Sequence, residues 1–143
     1  MEMISRSRGG LRLARLAVVV SILPVVLVVA GCSSGPEPTV ATFEVAGGEQ
    51  FRIELATPEL VEHAKGLLAG ETLAAIPNGV VVRGDSSVNA PWSWHIDPAT
   101  LEFANVTIEV CDGIPQHVED EIVTSDRFCP WSARVVAVEG PDA

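Results

Sequence analysis

The sequence is poor in basic residues. It contains 9 lysines and arginines against 19 aspartates and glutamates, a formal net charge of −10 over 143 residues. Proteins that bind nucleic acids or anionic lipid surfaces by charge do so through positive patches, which this composition gives little means to build. The composition therefore argues against nucleic acid as a partner. It leaves two interpretations of the acidity open, attraction of cations or basic partners and plain solubility.

The chain also lacks an apolar run of the roughly 20 residues that a helix needs to cross a bilayer. The run LAVVVSILPVVLVVA spans only residues 16–30 and follows a basic start. The arginines of that start are Arg6, Arg8, Arg12 and Arg15. A basic segment followed by a short apolar segment is typical of a secretory signal rather than of a membrane anchor. No two arginines are adjacent, which favours general secretion over the twin-arginine route.

The apolar run ends in VAGC at residues 29–32, and SSGPEPT follows. This segment resembles the lipobox of bacterial lipoproteins, which implies that Cys32 is lipidated and becomes the mature N-terminus. We therefore predict a lipoprotein signal peptide at residues 1–31, a flexible polar tether at 32–40 and a single domain at 41–139. The resemblance implies attachment to the cell membrane through the lipid, on its extracytoplasmic face. Without the signal peptide the chain keeps 5 basic and 18 acidic residues, a net charge of −13.

Two cysteines lie outside the lipobox, Cys111 and Cys129. In an exported protein such a pair predicts a disulfide, which for this separation would stabilise the fold by about 3 kcal/mol. No CxxC spacing exists, and three scattered histidines do not complete a tetrahedral zinc site. Glu109 and Asp112 could join Asp97 around a cation, but no calcium-loop spacing supports this. We expect no metal and no cofactor.

Hydrophobic periodicity predicts the fold class. Alternation at 41–45 and 51–55 indicates a hairpin, and Thr57-Pro58 has the pattern of an N-cap before a helix that Gly70 ends. Further patterns predict strands at 80–82, 92–97, 101–103, 106–110 and 132–139, a turn at residues 77–79, and a short helix that Pro115 begins. The prediction is a small α+β domain with five to seven short, mostly antiparallel strands, two helices and one disulfide.

The segment PWSWHIDP contains two of the three tryptophans. In a strand Trp92 and Trp94 share one face, while Ser93, His95 and Asp97 share the other. We expect the tryptophans to pack in the core, with an exposed aromatic clamp as the alternative.

The polar face of this strand does not predict a hydrolase. A Ser/His/Asp triad needs a strained nucleophile turn and an oxyanion hole, and the chain has no GxSxG. Alternate residues of one strand also have Cβ atoms roughly 6–7 Å apart, so they flank a histidine only loosely. We assign no catalytic residue. The candidate polar site consists of His95, Asp97, Glu109 and Arg134.

Five blocks of sequence occur in order: FRIELATPELVEHAKGLLAG, PWSWHIDPATLEF, TIEVCDG, PQHVED and CPWSARVV. They lie within residues 41–139 and resemble the N-terminal domain of a secreted calmodulin-binding protein family that also occurs in bacterial exported proteins. The resemblance implies that family's fold. Calmodulin itself is not expected as a partner, because its targets are basic amphipathic helices and the two helices predicted here are neutral to acidic.

These observations lead to one expected function and two alternatives. We expect a lipid-anchored, extracytoplasmic binding or interaction module of the bacterial cell envelope, not an enzyme, whose protein or small-ligand partner is open. The first alternative is a structural accessory lipoprotein without a ligand. The second is a small enzyme that uses His95 with Asp97 or Glu109 for proton transfer, which a pocket converging on His95 would favour.

Overall fold

The computed structural model of the protein describes residues 36–143, so the predicted signal peptide and Cys32 lie outside the described residues. The strands are β1 Val40–Glu44, β2 Gln50–Glu54, β3 Ile76–Arg83, β4 Trp94–Ile96, β5 Glu102–Ala104, β6 Arg127–Phe128 and β7 Arg134–Glu139. The helices are α1 Pro58–Leu68 and α2 Pro115–Glu119. None of the helices in this part of the chain has the length and apolarity to span a membrane. The predicted α+β class with two helices, antiparallel strands and one disulfide is confirmed.

The first sheet has the strand order β2-β1-β7 and is antiparallel throughout. β1 and β2 form the predicted hairpin, with Phe43 opposite Phe51, and β7 returns to pair with the other side of β1. The two-residue alternation buries both phenylalanines on one face of the sheet. β1 begins at Val40, and Thr39 before it is already buried. The ordered domain thus begins slightly before residue 41.

Helix α1 begins as the sequence predicts. The Thr57 hydroxyl oxygen accepts a hydrogen bond from the backbone N–H of Leu60 (3.3 Å), and Pro58 occupies the first turn, where a missing N–H is harmless. Val61 and Ala64 are buried, and the helix packs against β7. An amphipathic helix is thereby placed beside the last strand of the first sheet.

His63 links α1 to the second sheet. Its ring stacks on Phe103 of β5 with centroids 4.3 Å apart, and its Nε2 lies 2.7 Å from the carbonyl oxygen of Ala74. Since a carbonyl oxygen only accepts, Nε2 carries the hydrogen in this contact. His63 is therefore a half-buried boundary residue, as its position on the helix predicts.

In the second sheet, β3 pairs with β4, β5 and β6, all antiparallel. The predicted turn at residues 77–79 is wrong, because Pro77 and Gly79 lie inside β3. A Cβ atom at Gly79 would overlap the side chain of Ile96 and come within 3.4 Å of Thr100 Oγ1. Gly79 is thus required for close approach of the segment that follows β4, not for a turn.

Aromatic rings fill the space between the two sheets. Phe51 lies at the centre, with its ring centroid 5.3 Å from that of Phe43, 5.4 Å from that of Phe128 and 6.3 Å from that of Trp94. Phe43 and Phe51 belong to the first sheet, whereas Trp94 and Phe128 belong to the second. Trp94 is only 1% exposed, which confirms that it packs in the core.

Asn89 is a buried polar residue between the sheets, with 1% exposure. Its Oδ1 accepts from the backbone N–H of Arg52 on β2 (2.7 Å), and its Nδ2 donates to the carbonyl oxygen of Trp94 on β4 (2.9 Å). The donor N–H and the acceptor carbonyl fix which way the amide points. One side chain therefore bonds a strand of each sheet.

We expect Asn89→Ala to lower the free energy of unfolding by about 2–4 kcal/mol, because it leaves two backbone groups without a partner. Chemical denaturation of the two proteins measures the difference. Asn105→Ala is the control, because Asn105 is exposed and its loss should change the free energy by less than about 0.5 kcal/mol. Equal stabilities of the Asn89 variant and the parent would contradict the structural role given to the amide.

Candidate functional site

His95 and Asp97, two members of the candidate polar site, both bond to nearby backbone. The Nδ1 atom of His95 on β4 lies 2.7 Å from the carbonyl oxygen of Asp85, so this nitrogen carries the hydrogen. Oδ1 of Asp97 accepts from the backbone N–H of Ala99 (3.0 Å), which caps the 3-10 turn Pro98–Thr100. Both side chains hold the segments around β4 in place.

Arg134 and Glu109 lie elsewhere. Arg134 begins β7 in the other sheet, and its guanidinium pairs with Glu44 of β1. Hydrogen bonds from the side-chain amide of Gln50 and from Arg134 lower the pKa of Glu44. Glu109 is exposed in a 3-10 turn. Within residues 36–143 no hydrogen bond joins any two of the four candidate residues, and no group of three or more His, Cys, Asp or Glu side chains is placed to hold a metal ion.

Trp92 also belongs to the scaffold. Its Nε1 donates to the carbonyl oxygen of Gln50 on β2 (2.8 Å), and its ring centroid lies 6.4 Å from that of Trp94. The ring is half-buried and packs against the core. Both tryptophans of PWSWHIDP therefore support the fold, which leaves the third tryptophan for an exposed aromatic contact.

Trp131 is 49% exposed. Its Nε1 donates to Thr107 Oγ1 (2.6 Å), and its backbone N–H donates to Asp112 Oδ1 (2.8 Å). The ring forms one wall of a groove of about 270 Å³ whose other walls are Ile76, Asn105, Val106 and Thr107. No sequence pattern singled out Trp131. The signal available there was its position on a loop two residues after Cys129, outside every alternating segment.

The loop before Cys111 supplies three more exposed apolar side chains. The predicted strand at 106–110 is wrong, since no strand is present between β5 and α2. Val106, Ile108 and Val110 instead point into solvent. We call these three residues together with Trp131 the apolar patch.

The disulfide holds this loop against the segment that carries Trp131. Cys111 and Cys129 are bonded, with Cα atoms 5.1 Å apart, and the backbone N–H of Cys129 donates to the carbonyl oxygen of Cys111 (2.7 Å). The Ile108 carbonyl oxygen lies 3.2 Å from Cys111 Sγ. Every residue of the apolar patch lies within five positions of one of these cysteines. The patch is therefore presented on a cross-linked frame.

The basic side chains of the domain are all engaged in contacts within it. Ion pairs or hydrogen bonds join Lys65 to Glu62, Arg127 to Glu102, Arg134 to Glu44, Arg52 to the carbonyl of Ala90, and Arg83 to the carbonyls of Val118 and Val123. Only three of the 18 acidic residues take part in these ion pairs. The surface therefore presents negative charge that no cation of the described domain offsets.

Two tryptophan variants should separate scaffold from surface. Trp94→Ala removes a fully buried ring and should lower the free energy of unfolding by about 3–5 kcal/mol. Trp131→Ala removes a half-exposed ring and one hydrogen bond, and should cost about 1 kcal/mol. Denaturation curves of both variants measure these differences. A Trp131 variant that is as unstable as the Trp94 variant would show that Trp131 supports the core.

Comparisons with known proteins bear on the family. No curated protein and no solved structure matches the chain. The model of the BP-74 N-terminal domain family matches residues 37–142, which include all seven strands and both helices described above. This match confirms the resemblance carried by the five sequence blocks. The chain belongs to the BP-74 N-terminal domain family.

Proposed function

We propose that this protein is a lipid-anchored, extracytoplasmic interaction module of the bacterial cell envelope, which binds a protein partner and does not catalyse a reaction. The observation that carries this proposal is the apolar patch on the disulfide-linked loop. Clustered exposed apolar side chains are typical of interaction sites, and tryptophan is enriched among the residues that dominate binding energy. A loop fixed by a cross-link also loses less conformational entropy on binding than a free loop.

The position of the patch in the domain suits display away from a membrane anchor. The chain enters the first sheet at Val40, which lies opposite Glu139 at the end of β7. The patch lies near the other end of the sheet, where the backbone N–H of Ala46 donates to Ser132 Oγ (3.0 Å). A five-residue strand separates these ends by about 13 Å. A lipid on Cys32 would therefore hold the end of the domain that is remote from Trp131.

Binding is favoured over catalysis by the contacts of the polar residues. A general base needs a free nitrogen or oxygen within reach of a substrate proton. One ring nitrogen of His95 bonds to the Asp85 carbonyl, and Asp97 caps the 3-10 turn that follows β4. These contacts give the two side chains structural roles, whereas the apolar patch has no comparable role in the core.

Lipidation at Cys32 is the first expected result. Cells supplied with a labelled fatty acid should incorporate the label into the parent protein, and Cys32→Ser should abolish it, because the serine lacks the thiol that forms the thioether. Cys111→Ser is the matched control and should keep the label. Undiminished labelling of the Cys32 variant would contradict the membrane anchor.

Binding through the apolar patch is the second expected result. A photo-reactive benzoyl-phenylalanine in place of Ile108 should give a discrete cross-linked product in intact cells, because this side chain would be covered by the partner. The control position is Ile122, which is 62% exposed against 67% for Ile108 and lies outside the patch. Absence of a product at Ile108, or equal products at both positions, would contradict the interaction module.

A further inference from the structure

We propose that the partner of the apolar patch is a cationic protein segment that carries apolar side chains. This inference rests on the proposed function and specifies the chemistry of the partner. It follows from the combination of an apolar groove with an acidic border on a domain whose basic groups are already engaged.

The acidic border lies within the patch itself. Glu109 stands between Ile108 and Val110 in the loop, and its side chain is exposed. Asp112 follows at the disulfide and uses one carboxylate oxygen to accept the Trp131 N–H. A partner that covers the apolar side chains must therefore approach two carboxylates. Desolvating these carboxylates without a counter-charge would be unfavourable, so positive groups on the partner would stabilise the complex.

The rest of the domain extends this preference. All five basic residues of the described part are engaged internally, and the chain from residue 32 onward has a net charge of −13. The summed field attracts cationic partners and accelerates their encounter with the patch. A basic segment would thus gain from both the local border and the overall field.

A second copy of this chain fits the patch poorly. A two-fold symmetric contact brings the same surface of each copy together. Glu109 and Asp112 would then face the acidic border of the other copy, and two domains of −13 would repel each other. Charge therefore selects a partner of the opposite sign over self-association.

A lipid surface also fits poorly. Anionic headgroups would be repelled by the same border, and the patch lies at the end of the first sheet opposite to the point where the chain enters from the proposed anchor. A carbohydrate would find few free polar groups, because the Trp131 Nε1 and Thr107 Oγ1 atoms bond to each other. The walls from Ile76, Val106 and Trp131 suit an apolar side chain.

The test uses the full chain in nanodiscs of uncharged phosphatidylcholine and three dye-labelled peptides of eight residues. The first peptide has six lysines and two leucines, the second has glutamate for each lysine, and the third has serine for each leucine. Fluorescence anisotropy, corrected with empty nanodiscs, measures binding. The lysine–leucine peptide should bind at least about tenfold more tightly than either of the others, because only it offers both charge and apolar contact. Raising the salt from 0.05 to 0.5 M should weaken its binding.

Variants locate the binding to the patch. Trp131→Ala and Ile108→Ser should each weaken binding of the lysine–leucine peptide about tenfold, whereas Ile122→Ser should bind like the parent. Glu109→Gln should weaken it about threefold at low salt, and Glu139→Gln, at the opposite end of the first sheet, should change it less.

The outcomes separate this inference from the proposed function. If the glutamate–leucine peptide binds equally well, or if the patch variants leave binding unchanged, the cationic partner is overturned. A discrete cross-link at Ile108 in cells without any binding of the lysine–leucine peptide would overturn it as well, while the interaction module stands. Absence of both the cross-link and peptide binding would overturn the two proposals together.

Discussion

The side-chain amide of Asn89 is the contact on which the joining of the two sheets depends. It accepts from β2 and donates to β4, so it fixes the relative position of the sheets through two directional bonds in a dry interior. In such surroundings a fully paired amide is strong, and a half-paired one is costly. The aromatic rings around Phe51 supply most of the apolar burial, but their attraction has little directionality and tolerates small shifts. The amide therefore sets the geometry, and the rings fill the space that it defines.

The same segment of chain protects an exposed sheet edge. β2 is an edge strand whose free N–H and C=O groups could pair with another chain. The N–H of Arg52 instead donates to Asn89, and the C=O of Gln50 accepts from Trp92. At the other edge of this sheet, α1 packs against β7. Since Trp92 and Trp94 are needed for the edge and the core, Trp131 is the tryptophan that is left for a partner.

Sequence patterns predicted what neighbouring residues determine. The β1–β2 hairpin, the Thr57 cap, the disulfide and the α+β class follow from alternation, capping chemistry and the cysteine pair, and the structure confirms them. Gly79 looked like a turn residue because its true constraint, the approach of Ile96, comes from a distant segment. Val106–Val110 alternates like a strand, yet the face that should be buried is open to solvent. The candidate polar site stays a prediction. No spacing could show that His95 and Arg134 fall on different sheets, and Trp131 lies in no periodic segment.

Negative charge resolves the difficulty of exposing apolar side chains in an exported protein. An exposed patch invites self-association, but copies with the same strong charge repel one another and stay apart. The disulfide adds a second safeguard, because it holds the loop of Ile108 in place without burying that side chain in the core. On this view affinity comes from burial of the patch, and selectivity comes from the sign of the charge around it. A neutral apolar surface would gain the burial but would leave the carboxylates of Glu109 and Asp112 without a counter-charge, so it would bind less well than a basic one.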